Sequence, residues 1–239
     1  MTTIVKRVAE WSRIAARFRR DDVLGLVPTM GALHDGHGAL FDEARKRCSV
    51  VVGSIFVNPI QFNQKSDYDL YPRVFDEDLA FCETRGVDYI FAPPDDEMYP
   101  QPQRVFVDVG DISEHLCGRS RPGHFRGVAT VVTKLFQILR PQFAFFGEKD
   151  YQQLAIVRRI VRDLNVSVHV VGVPTVRDSD GLCSEFAKPP LKSGRAMFGA
   201  QSLQSFVDRP AVDRLWSAGR HRYQRRSHAG PAKCPGGQA

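Results

Sequence analysis

No two of the five cysteines stand at the Cys-x-x-Cys spacing of a zinc site or a redox pair: Cys48, Cys82, Cys117, Cys183 and Cys234 are scattered and odd in number. That pattern argues against a disulfide framework and fits a reducing compartment, and no protein metal site is expected from it. Long apolar runs are missing too. Nothing approaches the roughly 20 residues that cross a bilayer, and the first residues lack the apolar core of a secretory signal, so the expected location is the cytoplasm, with no membrane partner. The Arg-rich start imitates a transit peptide, but Val8, Trp11, Ile14, Ala15 and Phe18 have core-helix spacing, and Glu10 is foreign to such segments.

An excess of one charge sign is missing from most of the chain. The net +6 arises at the end, where residues 188–239 hold ten Lys and Arg against two Asp, leaving 23 against 25 for residues 1–187. The basic character therefore says little about the partner of the main domain. The tail itself lacks the interleaved aromatics of a nucleic-acid arm, which ranks that reading low. With 239 residues, 43% of them hydrophobic, the chain can bury the core of one large domain or two small ones.

What is present is alternation. After the opening helix, strand-like runs at 23–28, 49–57, 88–91, 104–109, 143–146 and 166–173 alternate with helical patterns at 37–47, 75–85, 127–139 and 150–163. Such alternation predicts an α/β fold with a largely parallel sheet covered on both faces. Residues 92–103, with four prolines, read as a surface excursion rather than a linker. Ligands of such sheets lie beyond the carboxyl ends of the strands, so chemistry-bearing motifs are sought just after each strand.

Three motifs satisfy that rule. Leu26 to His37 reads strand, tight turn, helix, with Met30, Gly31, Ala32, Leu33, His34, Asp35, Gly36 and His37 at the junction. The helix N-terminus favours an anion, and two imidazoles three residues apart can donate to phosphate oxygens. The plain alternative is a pair of surface histidines beside a turn. Asn58 and Gln61 follow the second strand, where carboxamides suit a small polar substrate or are merely solvated. Gly147, Glu148, Lys149, Asp150 and Gln153 follow a later strand and open a helix. Lys149 offers a mobile charge for a polyphosphate there, although a capped helix with ordinary surface charges accounts for the spacing equally well. A fourth stretch, Arg119 to Gly127, packs three arginines and His124 into nine residues without an acid, which is either a solvated loop or a grip on an acidic substrate.

Val27 to His37 resembles the His-x-Gly-His signature of the nucleotidyltransferase superfamily, and within it the pantothenate synthetases, the ATP-dependent pantoate–β-alanine ligases. Ser54 to Phe62, Tyr68 to Arg73, Arg121 to Phe125, Gly147 to Gln153 and Val171 to Leu182 carry the likeness from about residue 22 to about residue 182. The resemblance implies a Rossmann-like nucleotide-binding catalytic domain over residues 1–182. Pantoate would attack the α-phosphate of ATP to give a pantoyl adenylate and pyrophosphate, and β-alanine would then displace AMP. It implies that His37, His34 and Lys149 act in catalysis, and that Met30 to His37, Gly147 to Asp150, Val176 and Ser184 hold ATP. Gln61 and Gln153, with Asn58, Arg121 and His124, would contact the other substrates. Mg²⁺ accompanying the phosphates and a homodimer through the N-terminal half are further implications.

Beyond Leu182 the pattern changes. Where the family carries Ser-Ser-Arg-Asn, this chain reads Cys183-Ser184-Glu185-Phe186-Ala187-Lys188, then a tail rich in Arg, Ser, Gly and Pro. Residues 183–239 are read as a divergent, largely disordered basic tail, produced by a frameshift near Leu182. Phe186 to Pro189 written as TTC-GCG-AAA-CCG and read one base on restores Ser-Arg-Asn. A damaged enzyme that binds ATP or pantoate but turns over slowly is the corresponding alternative function.

Overall fold

The computed structural model describes residues 1–177, so Ser184 and the tail expectation fall outside the described residues. Among the described residues six strands form one sheet: β1 (Thr3–Val5), β2 (Leu24–Thr29), β3 (Val50–Ile55), β4 (Tyr89–Phe91), β5 (Phe143–Gly147) and β6 (His169–Val173). Their order is β1-β4-β3-β2-β5-β6, and every neighbouring pair is parallel. The helices are α1 (Val8–Ala15), α2 (Asp35–Arg47), α3 (Lys65–Asp69), α4 (Phe75–Thr84), α5 (Asp95–Met98), α6 (Cys117–Ser120), α7 (His124–Leu139) and α8 (Tyr151–Asp163).

The strands read as continuous apolar runs because both faces are buried. Along each central strand, successive residues enter opposite cores. Leu26, Val52 and Phe146 join Trp11, Val132, Phe136 and Leu154 from α1, α7 and α8. Val27, Val51 and Phe145 join Phe41, Ala44 and Cys82 from α2 and α4. Trp11 is 1% exposed and meets the rings of Phe18 and Tyr89 edge-on, with centroids 5.8 and 5.7 Å away. Trp11→Ala is therefore expected to cost about 3–5 kcal/mol of unfolding free energy, measurable by urea titration.

From β2 the chain builds outward through β3 to β4, then returns to the other side of β2 for β5 and β6. The direction of winding reverses between β2 and β5, which pair through Gly25–Phe143 and Leu26–Ala144. At such a reversal the loops leaving the two strands diverge to opposite faces and open a crevice at their carboxyl ends.

Two elements differ from the sequence expectation. Among the described residues, 104–109 pair with no strand. The Val107 amide donates instead to Thr130 Oγ1 of α7 at 3.0 Å, and the Arg126 guanidinium lies 4.1 Å above the Phe106 ring, so helix side chains take over the role of a neighbouring strand. Conversely β1, three residues long, is too short to show period-2 alternation, yet it adds an edge beside β4.

Candidate active site

The turn after β2 is held in an unusual shape. Gly31 (φ +84°) and Ala32 (φ +54°) are both left-handed, a conformation that costs little for glycine and more for alanine. The Asp78 carboxylate from α4, 2% exposed, offsets that strain by accepting from Ala32 N at 2.9 Å and Leu33 N at 2.7 Å. A Cβ on Gly31 would stand 2.8 Å from Asp78 Oδ2, so glycine is required on steric grounds as well. Burial raises the Asp78 pKa and outweighs the two amide bonds, which act in the opposite direction. Asp78→Asn sets an amide N–H against a backbone N–H, and a loss of about 1–3 kcal/mol in unfolding free energy is expected by urea titration.

The turn delivers His34 and His37 to the start of α2. His34 Nδ1 accepts from Gly36 N at 3.1 Å, and His37 Nδ1 accepts from His34 N at 3.4 Å, a reciprocal cap. Because each Nδ1 accepts, each neutral imidazole carries its proton on Nε2. The ring centroids are 4.2 Å apart. Burial pushes the His37 pKa down to about 3, and the neighbouring His34 and the Lys149 ammonium push it the same way. Lys149 sits after β5, in the short helical turn Glu148–Asp150 that precedes α8. The paired imidazoles and Lys149 thus follow the carboxyl ends of the neighbouring, paired strands β2 and β5, the end of the sheet at which ligands of this architecture lie.

The β3 end joins them. Gln61 is 7% exposed, and its Nε2 lies 2.8 Å from Met30 Sδ in the β2 turn. Asn58, 1% exposed, donates through Nδ2 to Gln61 Oε1 (3.0 Å) and Gly127 O (3.2 Å) and accepts from the Tyr99 hydroxyl (2.7 Å). Both Asn58 donors are thus engaged within the protein, so its place is behind Gln61 rather than at the crevice surface. Gly127 allows α7 this close approach, since a Cβ there would lie 2.6 Å from Gln61 Cα. His124, from the same helix start, makes a 2.9 Å bond through Nδ1 to the Gln61 carbonyl, which only accepts, so Nδ1 carries the proton. Burial and the nearby Arg121 push the His124 pKa down to about 4, against the bond to the Gln61 carbonyl, and the His124 amide donates to Arg121 O at 3.1 Å.

The other expected residues also lie at this edge of the sheet. Gly147 closes β5, and Asp150, exposed, is the residue on which α8 starts, its side chain making no cap bond to the helix. Gln153 is half-buried in the first turn of α8, and Val176 follows β6. Sequence reasoning missed Asp78, Tyr99 and Gln152. Gln152 is 6% exposed; it accepts from Cys117 N and donates to Ile112 O and His115 O, tying the start of α8 to the loop that leads to Arg119 and Arg121.

The low pKa values of His37 and His124 have a consequence for stability. Below pH 6.5 the unfolded chain takes up protons at these positions that the folded chain refuses, so their contribution is present above pH 6.5 and is lost as pH falls toward 4 for His124 and 3 for His37. The slope is at most about 1.4 kcal/mol per pH unit for each. His124→Asn, which retains a donor near Nδ1, is expected to flatten the fall in urea midpoint between pH 6.5 and 4.

Fold and crevice together define an α/β protein of the doubly wound, parallel-sheet class with a His-x-Gly-His turn at its switch point. The pantoate-beta-alanine ligase family model matches residues 3–203, and the chain belongs to that family. The pantothenate synthetase of Geobacter sp. (strain M21) is 54% identical over 179 residues, covering 75% of this chain, which in turn spans 63% of that relative's length. Pantothenate synthetase 1 of Bradyrhizobium diazoefficiens is 45% identical over 228 residues, covering 91% of this chain and 81% of its own length. This match and the family match both continue past Leu182. Among solved structures, pantothenate synthetase from Thermus thermophilus superposes with a TM-score of 0.73 at 50% identity, covering 77% of this chain and 66% of that one. Pantoate-beta-alanine ligase from Francisella tularensis, complexed with beta-gamma ATP and beta-alanine, does so with 0.76 at 37% identity, covering 78% and 72%.

Proposed function

We propose that this chain condenses pantoate with β-alanine at the expense of ATP, through a pantoyl adenylate, releasing pyrophosphate and AMP. What supports the reading is that His34 and His37, Gln61 and Lys149 follow the carboxyl ends of the three neighbouring strands β2, β3 and β5, with Gln61 touching the β2 turn at Met30. The Nε2–H groups of the two histidines and the Lys149 ammonium are donors for phosphate oxygens on which charge grows as the pantoate carboxylate attacks. Gln61, Gln153, Arg121 and His124 hold pantoate and β-alanine in line with the α-phosphate, and positioning carries most of the rate because the protein forms no bond to the substrates. Met30 to His37, Gly147 to Asp150 and Val176 line the nucleotide. Among the described residues no three His, Cys, Asp or Glu side chains gather as a metal cage. Mg²⁺ would accompany the ATP phosphates as their counter-ion.

The test is formation of pantothenate and AMP from ATP, pantoate and β-alanine, with each substrate omitted in turn. Product that depends on all three supports the proposal; AMP formed without pantoate, or no product, contradicts it. Cytoplasmic location and a homodimer belong to the same proposal and are checked by fractionation and sedimentation. Among the described residues no helix is long and apolar enough to cross a membrane. The frameshift reading of residues 183–239 is decided by sequencing the gene.

A further inference from the structure

The carboxamides behind the crevice can be oriented without ambiguity, because their chain of bonds ends on a backbone carbonyl. Gly127 O only accepts, so the Asn58 atom 3.2 Å from it is the amide nitrogen. The second hydrogen of that nitrogen faces Gln61 at 3.0 Å, so Gln61 presents its oxygen there and turns its own Nε2 to the Met30 side. Asn58 Oδ1 then points the other way, into the interior, where Tyr99 donates to it across 2.7 Å. With Asn58 1% exposed, no solvent can replace that donor.

Tyr99 is itself held on three sides. Its ring packs against Phe56 with centroids 6.1 Å apart, the Lys134 ammonium lies 4.7 Å above its face, and the same ammonium donates to Met98 O at 2.5 Å. The donor is thus clamped between α7 and the end of β3. Without it, Asn58 keeps a buried acceptor unsatisfied, and its side chain relieves that cost by swinging off Gly127 O and releasing Gln61.

We propose that Tyr99 is a positioning residue that holds Asn58 on the orienting Gly127 carbonyl, and so keeps the Gln61 carboxamide turned to offer an amide N–H, not a carbonyl, to an acceptor group such as a substrate carboxylate or hydroxyl. The name of the substrate rests on the function proposed above; the orientation of the two amides does not.

The experiment is Tyr99→Phe in the full chain, which keeps the ring and removes only the hydroxyl. Expected are faster exchange and shifted NMR signals for the side-chain NH₂ groups of Asn58 and Gln61. Pantoate affinity should fall about tenfold, while ATP affinity changes less than about twofold. Unchanged amide signals overturn the proposal. So do equal losses of pantoate and ATP affinity with a lowered Tm, which mark a merely structural tyrosine. If the wild-type chain binds no pantoate while the amide signals still respond to the substitution, the functional reading fails and the role of Tyr99 stands. Should the variant not fold, the wild-type chain decides: a slowly exchanging Tyr99 hydroxyl proton with a nuclear Overhauser contact to Asn58 is expected, and rapid exchange with solvent overturns the proposal.

Discussion

His37→Ala is expected to slow pantoyl-adenylate formation by about 10²–10³-fold while leaving pantoate affinity within about threefold of its starting value. The rate falls because the imidazole reaches the crevice as a neutral Nε2–H donor, its Nδ1 committed to the His34 amide and its pKa pushed down to about 3. In the proposed reaction such a donor would contribute little to holding a pantoate molecule placed toward Gln61, and most to the phosphate oxygens as charge develops on them. Pantoate-dependent exchange of labelled pyrophosphate into ATP reads the first quantity, and calorimetric titration with pantoate reads the second. Equal losses in both would make His37 a structural cap of α2.

Lys149→Met should have an effect of the same order on adenylation, about 10²–10³-fold, because it removes the opposing positive charge while preserving the length of the side chain. It carries a second consequence that no loss of folding would imitate. The Lys149 ammonium helps to push the His37 pKa down, so its removal is expected to raise that pKa from its value of about 3. The shift is read by NMR titration of the imidazole in the absence of ATP. An unchanged His37 titration would separate the two residues and break the crevice apart, whatever happened to activity.

The parts of this arrangement that sequence reveals are those written in local pattern. Alternating strand and helix periods give a parallel sheet, and the rule that ligands sit beyond strand ends picks out the turn at His34–His37, the segment at Asn58–Gln61 and the one at Gly147–Lys149. What stays hidden is long-range satisfaction of polar groups. Asp78 lies 46 residues from Ala32, and in sequence it reads as an ordinary acid in the first turn of α4. Tyr99 lies 41 residues from Asn58, within a proline-rich stretch that reads as surface. Nothing in the spacing of Asn58-Pro59-Ile60-Gln61 says that one carboxamide faces the crevice and the other stands behind it; Gly127 and Tyr99, both distant in the chain, decide that. The same limit explains residues 104–109, where the apolar pattern of a strand is real but the hydrogen-bonding partner is Thr130 of a helix.

The most direct test of the central claim is a crystal structure of the chain with a non-hydrolysable ATP analogue. The phosphates are predicted to span the carboxyl ends of β2 and β5, with oxygens within about 3 Å of His34 Nε2, His37 Nε2 and Lys149 Nζ. Phosphates bound at any other surface, or in contact with the histidines while Lys149 points away, would contradict the account.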